Sequence, residues 1–413
     1  MQKVELVSPA GNPEKLKMAV LYGADAVYLG GAAYNLRAFA GNFSDGEMLE
    51  GIRFAHSNNC KVYLALNIFA HNSDIEGLRG ILKQALANGV DAVIVSDPGV
   101  MAAAKDMAPD IPIHLSTQAN TMNWASAAFW YKSGTKRVIL ARELSLLEIA
   151  EIRRMAPSEL ELEVFVHGAM CISYSGRCFL SNYLASRSSN AGACAQPCRW
   201  KYSLVEEKRP GQYLQVYEDP DGTFIMNSKD LCMIAHIPEL IETGVSSFKI
   251  EGRMKSPYYT AIVTKMYREA IDSYYSDAEH WSVKKGWLDE IAKASRRECD
   301  TGFYFGSPGP ASCVYTSDIS EKDYDFIGII TGHSAEEELI LVEQRNRFFK
   351  GDIVEIIPPV GPTTILSIEH LYNEDGMEIE SAPHPQMKVK IPFVKEFPKY
   401  SILRRRSTGQ KSV

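Results

Sequence analysis

The sequence lacks long apolar runs and any recognisable export signal. No stretch approaches about 18 consecutive apolar residues, the length that a membrane-spanning helix requires. The first residues, MQKVELVSPAG, enter a strand-like run without the charged and apolar regions of a signal peptide. We therefore expect a cytoplasmic protein with no membrane partner, in which the eight cysteines stay reduced and serve metal binding or catalysis.

Several common catalytic motifs are also missing. There is no G-x4-G-K-[ST] phosphate loop, and no G-x-G-x-x-G follows a predicted strand, so nucleotide cofactors are not indicated. Neither a G-x-S-x-G elbow nor an H-E-x-x-H pair is present. A cysteine nucleophile at Cys171 beside His167 is conceivable, but it would leave three neighbouring cysteines without a role. The chemistry of the residues therefore disfavours proteolysis.

Strong net charge is absent as well. The formal net charge is −7, which gives no overall attraction to nucleic acid. Charge is uneven, because the sequence ends in the basic run RRRSTGQK, and Lys249, Arg253 and Lys255 lie close together. We interpret the basic run as a solvated tail. Charge alone neither excludes nor indicates a nucleic-acid partner.

Half of the cysteines are concentrated in one short segment. Cys171, Cys178, Cys194 and Cys198 follow the spacing C-x6-C-x15-C-x3-C, without the paired C-x2-C knuckles of zinc ribbons and fingers. Ser, Gly and Asn dominate the longest spacer, as expected of a loop that folds around an inorganic core. An iron–sulfur cluster is the leading interpretation, while zinc, disulfides and inert packing remain alternatives.

The first 255 residues alternate short apolar strands with helical segments. Four segments repeat a pattern in which a helix-ending glycine precedes a strand, as in GADAVYLG and GVDAVIVSD. Eight strands are predicted: Val4–Val7, Ala26–Gly30, Lys61–Leu66, Ala92–Val95, Pro112–Leu115, Arg137–Ala141, Leu162–Val166 and Ser247–Ile250. This α/β pattern predicts a TIM-type (β/α)8 barrel over 1–255, with a Cys-rich insertion at about 167–243.

The remaining residues indicate a different kind of structure. Residues 256–322 are predicted to form a helical segment and linker, with an apolar stripe that packs on the barrel. From 323 to 413 the strand-like runs FIGIITG, EELILVE, DIVEIIP and TTILSIE alternate with turn residues. These runs predict a small C-terminal β-barrel domain that carries the basic tail. Such a domain serves either RNA binding or plain docking.

Polar residues follow most of the predicted barrel strands. TIM-barrel sites lie at the carboxyl ends of the strands, so these residues are the site candidates. They include Ser8, Asn67, Ser96, Asp97, Ser116, Gln118, Asn120, Arg142, Glu143, His167, Glu251 and Arg253. Some are expected to cap helices or to pair with each other. Arg142, His167, Lys249 and Arg253 together would clamp a small anion such as a dicarboxylate or a phosphate.

Four stretches resemble the peptidase U32 family over most of the chain. They are ELVSPAGNPEKLKMAVLYGADAVYLG, HGAMCISYSGRCFLSNYLASR with GACAQPCRWKY, YEDPDGTFIMNSKDL and SFKIEGRMKSPYY. Within that family the sequence is most similar to the branch that acts in prephenate-dependent 5-hydroxylation of tRNA wobble uridines. Members of the family are also called collagenase-like proteases.

The resemblance implies a cofactor and its ligands. It implies a four-iron four-sulfur (4Fe-4S) cluster held by Cys171, Cys178, Cys194 and Cys198. A related branch takes its fourth ligand from further along the chain, which makes Cys232 a rival to Cys198. Cys232 is the weaker rival, because it lies in the helical-looking run KDLCMIAHI, where packing is the better explanation. Cys60, Cys299 and Cys313 fit no ligand pattern.

The resemblance also implies a reaction: hydroxylation of uridine 34 in tRNA, with prephenate as co-substrate. In this hypothesis Arg142, His167 and Arg253 hold the small anionic substrate, and a redox protein is a candidate electron donor. Two alternatives remain open: a U32 peptidase, and a non-catalytic cluster-bearing factor that binds RNA or assists another enzyme.

Overall fold

A computed structural model describes residues 3–31, 43–171, 173–189, 192–200, 204–205, 213–214, 228–295, 297–308 and 324–407. Cys313 and the last six residues lie outside these ranges. The chain divides into two compact units, one formed by 1–288 with 297–319 and the other by 289–296 with 320–413. Each unit has its own hydrophobic core.

The first unit is a closed parallel β-barrel, which confirms the predicted TIM-type fold. Its strands are β1 (Glu5–Pro9), β2 (Ala26–Leu29), β3 (Lys61–Leu66), β4 (Ala92–Val95), β5 (Ile113–Leu115), β6 (Arg137–Ile139), β7 (Glu161–Gly168) and β11 (Ser247–Ile250). Each strand pairs with the next in parallel, and β11 closes the barrel by pairing with both β7 and β1. Strand β4, AVIV, is buried at every position because parallel strands are covered on both faces.

Helices between the strands form the outer layer. They are α1 (Pro13–Leu21), α2 (Asp45–Ser57), α3 (Ile75–Asn88), α4 (Pro98–Met107), α5 (Trp124–Lys132), α6 (Leu146–Met155) and, before β11, α8 (Ile237–Glu242). Asn12, Asp97, Asn123 and Ser145 cap the N-termini of α1, α4, α5 and α6 with side-chain oxygens. Asp97, a site candidate in the sequence, is therefore a helix cap.

A long insertion separates β7 from β11. Its described parts include a 3₁₀ turn at Tyr174–Gly176, helix α7 (Leu180–Ala185), a second 3₁₀ turn at Pro197–Arg199 and the short strands β8 (Leu204–Val205) and β9 (Tyr213–Leu214). Strand β10 (Asp230–Cys232) follows and runs antiparallel to the end of β7. The insertion thus leaves and re-enters the barrel beside the same strand.

Two helices follow the barrel. Helix α9 (Pro257–Ser276) has the predicted buried stripe, and Ile262, Tyr267 and Ile271 are inaccessible to solvent. Helix α10 (Lys285–Ala294) comes after a break, and strand β12 (Cys299–Asp300) pairs in parallel with β10. The helical segment predicted as one run is therefore two helices and a strand. None of the described helices is long and apolar enough to cross a membrane.

The second unit is rich in β-structure, as predicted. Its strands are β13 (Tyr324–Ser334), β14 (Leu339–Gln344), β15 (Phe348–Phe349), β16 (Ile353–Ile357), β17 (Thr364–Ser367), β18 (Tyr372–Asn373), β19 (Ser381–Ala382), β20 (Lys388–Pro392) and β21 (Ile402–Arg406). Seven of them form an antiparallel sheet in the order β17-β16-β21-β13-β14-β20-β18, and β15 pairs with β19.

The start of the basic run is not a solvated tail. Arg404 lies in β21 with no solvent exposure, and its guanidinium contacts the carboxylates of Glu290 and Glu355. The interpretation as a tail was wrong for this part of the run because β21 is an internal strand, paired with both β13 and β16. A buried guanidinium with two carboxylates anchors the strand.

Candidate functional site

One cavity of about 370 Å³ opens at the carboxyl end of the barrel. Residues at or just beyond the ends of β2, β3, β5, β6, β7 and β11 line its barrel side, and the Cys-rich insertion lines the other. Six predicted candidates from the strand ends are among the lining residues: Asn67, Ser116, Gln118, Arg142, Glu251 and Arg253. The geometry is that of a TIM-barrel active site, in which loops after the strands surround the substrate.

All four cysteines of the insertion line this cavity. Cys171, Cys178, Cys194 and Cys198 are partly buried free thiols. Three of them accept a hydrogen bond from the backbone N–H two residues further along, the donors being Ser173 for Cys171, Leu180 for Cys178 and Gln196 for Cys194. Such N–H groups stabilise negative charge on sulfur, so the loop is built to hold thiolates.

The thiol of Cys171 must lose its proton before it can bind a metal. Burial raises the pKa of Cys171, as do the neighbouring Cys178 and Cys194, while the Ser173 N–H and the Arg142 guanidinium oppose the rise. A buried thiol with a raised pKa is a poor nucleophile at neutral pH. A bound metal would drive its deprotonation, since metal ligation by cysteine requires the thiolate.

The donor set consists of thiols, which ligate either zinc or an iron–sulfur cluster. In the described part of the chain, no three His, Cys, Asp or Glu side chains lie close enough together to hold one metal ion. Thiolates on one tetrahedral zinc lie about 3.8 Å apart, as follows from a Zn–S distance of about 2.3 Å. In a four-iron cluster each thiolate binds a different iron, so the sulfurs lie further apart. Four thiols around one cavity suit that arrangement.

Four cationic side chains line the same cavity, namely Arg142, Lys249, Arg253 and Lys255. The guanidinium of Arg142 stacks 4.0 Å from the ring centre of Phe165. The ammonium of Lys249 lies 4.4 Å from the ring centre of Tyr28, and the guanidinium of Arg253 lies 5.9 Å from it. The aromatic faces help to hold these cations in position at the cavity wall.

Lys249 is held in position by a buried carboxylate in the interior of the barrel. The Nζ atom of Lys249 donates to Oε1 of Glu163 at 2.7 Å, and Oε2 of the same carboxylate accepts from Arg137 at 3.0 Å and from Ser247 at 3.0 Å. Burial alone would raise the pKa of Glu163, but Lys249 and Arg137 outweigh burial and hold the pKa below its usual value of 4.5. Glu163 is therefore a buried carboxylate that fixes the position of a cavity cation.

His167 is not among the residues that line the cavity. Its ring packs against Tyr259 and Tyr267 of α9, with ring centres 5.8 and 5.6 Å apart. The cause is a bulge in β7: Lys249 is opposite Phe165, but Ile250 is opposite His167. One extra residue reverses the inward and outward alternation of side chains, so His167 leaves the face that Glu163 and Phe165 share.

Two contacts attach the insertion to the barrel. Glu143 accepts hydrogen bonds from the backbone N–H of Ser175 at 2.6 Å and from its hydroxyl at 3.1 Å. The guanidinium of Arg177 donates to the carbonyl of Gln118 at 2.9 and 2.7 Å. Glu143 was a site candidate in the sequence, and the structure shows its carboxylate bonded to the 3₁₀ turn that follows Cys171.

Sequence reasoning missed three residues that shape the site. Glu163 and Arg137 lie inside the barrel, and Tyr28 supports two of the cations. A signal for Glu163 was present, because a charged residue alternates with apolar ones in the run ELEVFV. Nothing in the local sequence marks Tyr28, whose role depends on β1 pairing with both β2 and β11.

Sequence comparisons match both units to one family. Residues 11–313 match peptidase family U32, and residues 322–404 match the peptidase family U32 C-terminal domain. The chain is 42% identical over 404 residues to tRNA hydroxylation protein P1 of Bacillus subtilis (strain 168), covering 98% of this chain and 95% of the relative.

Two relatives from Escherichia coli (strain K12) are also similar. The chain is 37% identical over 451 residues to tRNA hydroxylation protein P, covering 99% of this chain and 98% of the relative. It is 36% identical over 271 residues to 23S rRNA 5-hydroxycytidine C2501 synthase, covering 66% of this chain and 40% of that larger relative. From the coverage of its length and the level of identity, the chain belongs to peptidase family U32.

Proposed function

We propose that the protein hydroxylates carbon 5 of a uridine in tRNA, at wobble position 34, using a four-iron four-sulfur cluster and prephenate as the oxygen source. The observation that carries the proposal is the meeting of four thiols and four cationic side chains in one cavity at the carboxyl end of the barrel. Two relatives with nearly full coverage are named as tRNA hydroxylation proteins, and a third is named for 5-hydroxylation of a cytidine in ribosomal RNA.

The four cavity cysteines would hold the cluster. The hydrogen bonds from backbone N–H groups to the sulfurs of Cys171, Cys178 and Cys194 support these residues as ligands. The bound cluster supplies one-electron transfer, which amino-acid side chains do not provide by themselves. Cys198 lines the cavity and Cys232 does not, which supports Cys198 as the fourth ligand.

The cations would bind the dicarboxylate. Guanidinium groups match carboxylates with two parallel hydrogen bonds, so Arg142 and Arg253 suit the two carboxylates of prephenate. Lys249, held by Glu163, adds a third positive charge at the barrel side of the cavity. The role predicted for His167 in this clamp is not retained because its ring packs against α9.

The insertion has the surface expected of an RNA contact. Between residues 164 and 205 there are four basic residues and no acidic one, in a chain whose net charge is −7. Four aromatic side chains of this segment are solvent-exposed, namely Tyr174, Phe179, Tyr183 and Trp200. Exposed rings next to positive charge bind unpaired bases by stacking, and an anticodon loop presents such bases.

The activity test is mass spectrometry of nucleosides from tRNA incubated with anaerobically purified protein and prephenate. We expect 5-hydroxyuridine with the parent protein, and a fall in kcat/KM for prephenate of about 10- to 100-fold for Arg142→Met or Arg253→Met, the value of a charge-assisted hydrogen bond. Arg154→Met is the matched control, because Arg154 lies on the exposed face of α6. It should leave the rate unchanged.

Other outcomes would select the alternatives. Cleavage of peptides by protein freed of iron would support a peptidase. Binding of tRNA without product, even with prephenate and reductant supplied, would support a non-catalytic factor. Loss of activity in the control variant equal to that in the arginine variants would remove the evidence for an anion clamp.

Binding of the RNA is tested separately from chemistry. Tyr183 is 87% exposed and Phe129 on α5 is 61% exposed, so neither ring contributes much to folding. We expect Tyr183→Ala to weaken binding of an anticodon stem-loop by about 1–3 kcal/mol, the value of one stacked base. Phe129→Ala should leave the Kd unchanged. Equal effects, or none, would contradict this surface.

A further inference from the structure

The β11–α9 loop, residues 251–255, is held in place through backbone carbonyl groups. The hydroxyl of Tyr28 on β2 donates to the carbonyl of Ile250, which ends β11, at 3.1 Å. The hydroxyl of Tyr259 on α9 donates to the carbonyl of Glu251 at 3.2 Å. Both hydrogen bonds are buried. Side chains from two other elements of the barrel unit therefore fix the start of this loop.

Lys15 makes a similar contact further along the loop, at Arg253. Its Nζ atom donates to the backbone carbonyl of Arg253 at 3.0 Å, in a buried hydrogen bond that joins α1 to the β11–α9 loop. Lys15 is only 8% exposed to solvent. It belongs to the run SPAGNPEK, to which the proposed hydroxylation gives no role. Three side chains from three elements thus hold the backbone around Arg253.

The buried ammonium of Lys15 is not explained by packing. In the part of the chain that the structure describes, Lys15 forms no ion pair with a carboxylate. Burial lowers the pKa of Lys15, and the neighbouring Glu14 opposes this only in part. A methionine would fill the same space without the free-energy cost of removing a charge from water. What the amine provides and a methionine does not is the hydrogen bond to Arg253.

The backbone position of Arg253 determines where its guanidinium lies. That guanidinium lines the cavity, 5.9 Å from the ring centre of Tyr28. Binding a carboxylate through two parallel hydrogen bonds requires the guanidinium to be placed to within a fraction of an ångström. Without the Lys15 contact, the carbonyl of Arg253 loses its donor and the loop can move.

We propose that Lys15 is a positioning residue for the anionic co-substrate: its ammonium fixes the backbone of Arg253 and so places the guanidinium that binds a carboxylate. The inference rests on the proposed function, because it takes Arg253 as a ligand of prephenate. It requires Lys15 to act on prephenate affinity through Arg253. A residue with a purely structural role would act on the whole barrel instead.

The experiment is a double-mutant cycle, measured by calorimetric titration of prephenate into the anaerobically purified full chain without tRNA. Lys15→Met should raise the Kd for prephenate about tenfold, the value of one hydrogen bond to a charged group. In the Arg253→Met background the same substitution should change the Kd by less than about twofold, because effects of residues that act as a unit do not add. Lys15→Gln, whose side chain is one atom shorter, is a second variant with the same expected result.

Hydrogen exchange tests the position of the loop without using prephenate. The N–H of Lys255 donates to the carbonyl of Gly252 at 2.8 Å within the loop. Lys15→Met should speed exchange in the peptide that spans the loop and leave exchange in β3 and β4 as in the parent protein. Lys17→Met is the matched control, because Lys17 lies on the same helix and pairs with the exposed Glu50. It should change neither the Kd nor the exchange.

Three results would overturn the proposal. One is an equal rise in the Kd in both backgrounds, which would show that Lys15 does not act through Arg253. Another is an unchanged Kd in folded Lys15 variants. The third is faster exchange throughout the barrel, the mark of a structural role. If the parent protein binds prephenate but forms no 5-hydroxyuridine, the proposed function fails, while the cycle still decides the role of Lys15.

Discussion

The buried carboxylate of Glu163 connects strands in the interior of the barrel. It is completely inaccessible and contacts Lys249 and Arg137, which come from different strands. We predict that Glu163→Gln lowers the free energy of unfolding by about 3–5 kcal/mol, because the buried Lys249 loses its carboxylate partner and Arg137 keeps only Glu5 and Glu161. Urea denaturation measures this loss. Glu50→Gln is the control, since its exposed ion pair with Lys17 contributes little.

Glu163 also predicts how the free energy of unfolding changes with pH. The pKa of Glu163 in the folded protein is below its usual value of 4.5, so the ionised carboxylate stabilises the fold at pH above that value. This stabilisation is lost as the pH falls through the lowered pKa. The difference in unfolding free energy between the parent and Glu163→Gln should therefore be constant near neutral pH and shrink below about pH 4.5. A difference that grows on acidification would contradict this assignment.

Single residues at the strand ends were only partly predictable. The position of Arg142 and Arg253 in the cavity follows from the rule that TIM-barrel sites lie at carboxyl ends of strands. His167 obeys the same rule in sequence, yet a bulge turns it toward α9. Bulges depend on how neighbouring strands pair, which the sequence of one strand does not encode.

At the level of elements, the attachment of the insertion depends on Glu143. Its carboxylate takes both the N–H and the hydroxyl of Ser175, so it orders the turn between Cys171 and Cys178. We predict that Glu143→Ala reduces iron retention and speeds proteolysis within the insertion, with little change in the unfolding temperature of the barrel. Iron content after gel filtration and limited proteolysis measure these effects.

The control for this prediction is Glu151→Ala. Glu151 lies on the exposed side of α6, and its contact with Arg154 is a surface ion pair. This variant should retain iron and resist proteolysis like the parent protein. A similar loss in both variants would mean that the Glu143 contact is not specific to the insertion.

Strand β21 depends on the buried arginine at its centre. Arg404 donates to Glu290 at 2.6 and 2.7 Å and also contacts Glu355. Arg404→Met leaves these carboxylates without their guanidinium, so we predict faster hydrogen exchange across β13, β16 and β21. Exchange in the barrel strands reports whether the effect is local. Uniformly faster exchange in all strands would contradict a local role.

For the whole molecule, much of the fold was predictable because periodicity and turn glycines recur. Three of eight barrel strands have the bounds predicted from the sequence, namely Lys61–Leu66, Ala92–Val95 and Ser247–Ile250. The four helix-ending glycines, of which Gly23 and Gly89 are examples, adopt positive φ angles that favour glycine. The barrel is built from eight similar strand-containing units, so a sequence pattern recognised in one unit also predicts strands in the others.

Long-range features of the molecule could not be predicted in this way. The pairing of β10 with both β7 and β12 places Cys299 opposite Asp230, although the two positions are far apart in the chain. The burial of Arg404 likewise arises from two neighbouring strands and α10. These contacts arise from tertiary packing. Residue type alone predicts that an arginine is exposed to solvent, and it does not predict which residues a cysteine contacts.

The central claim is that four thiols around one cavity hold an iron–sulfur cluster. The most direct test is the iron and sulfide content, with the visible spectrum, of anaerobically purified parent protein and of Cys171→Ala, Cys198→Ala and Cys232→Ala. We predict about four irons and four sulfides per parent chain. The content should be lost in the first two variants and retained in the third. An iron-free, colourless parent protein with intact fold would contradict the account, as would retention of the full cluster in Cys171→Ala.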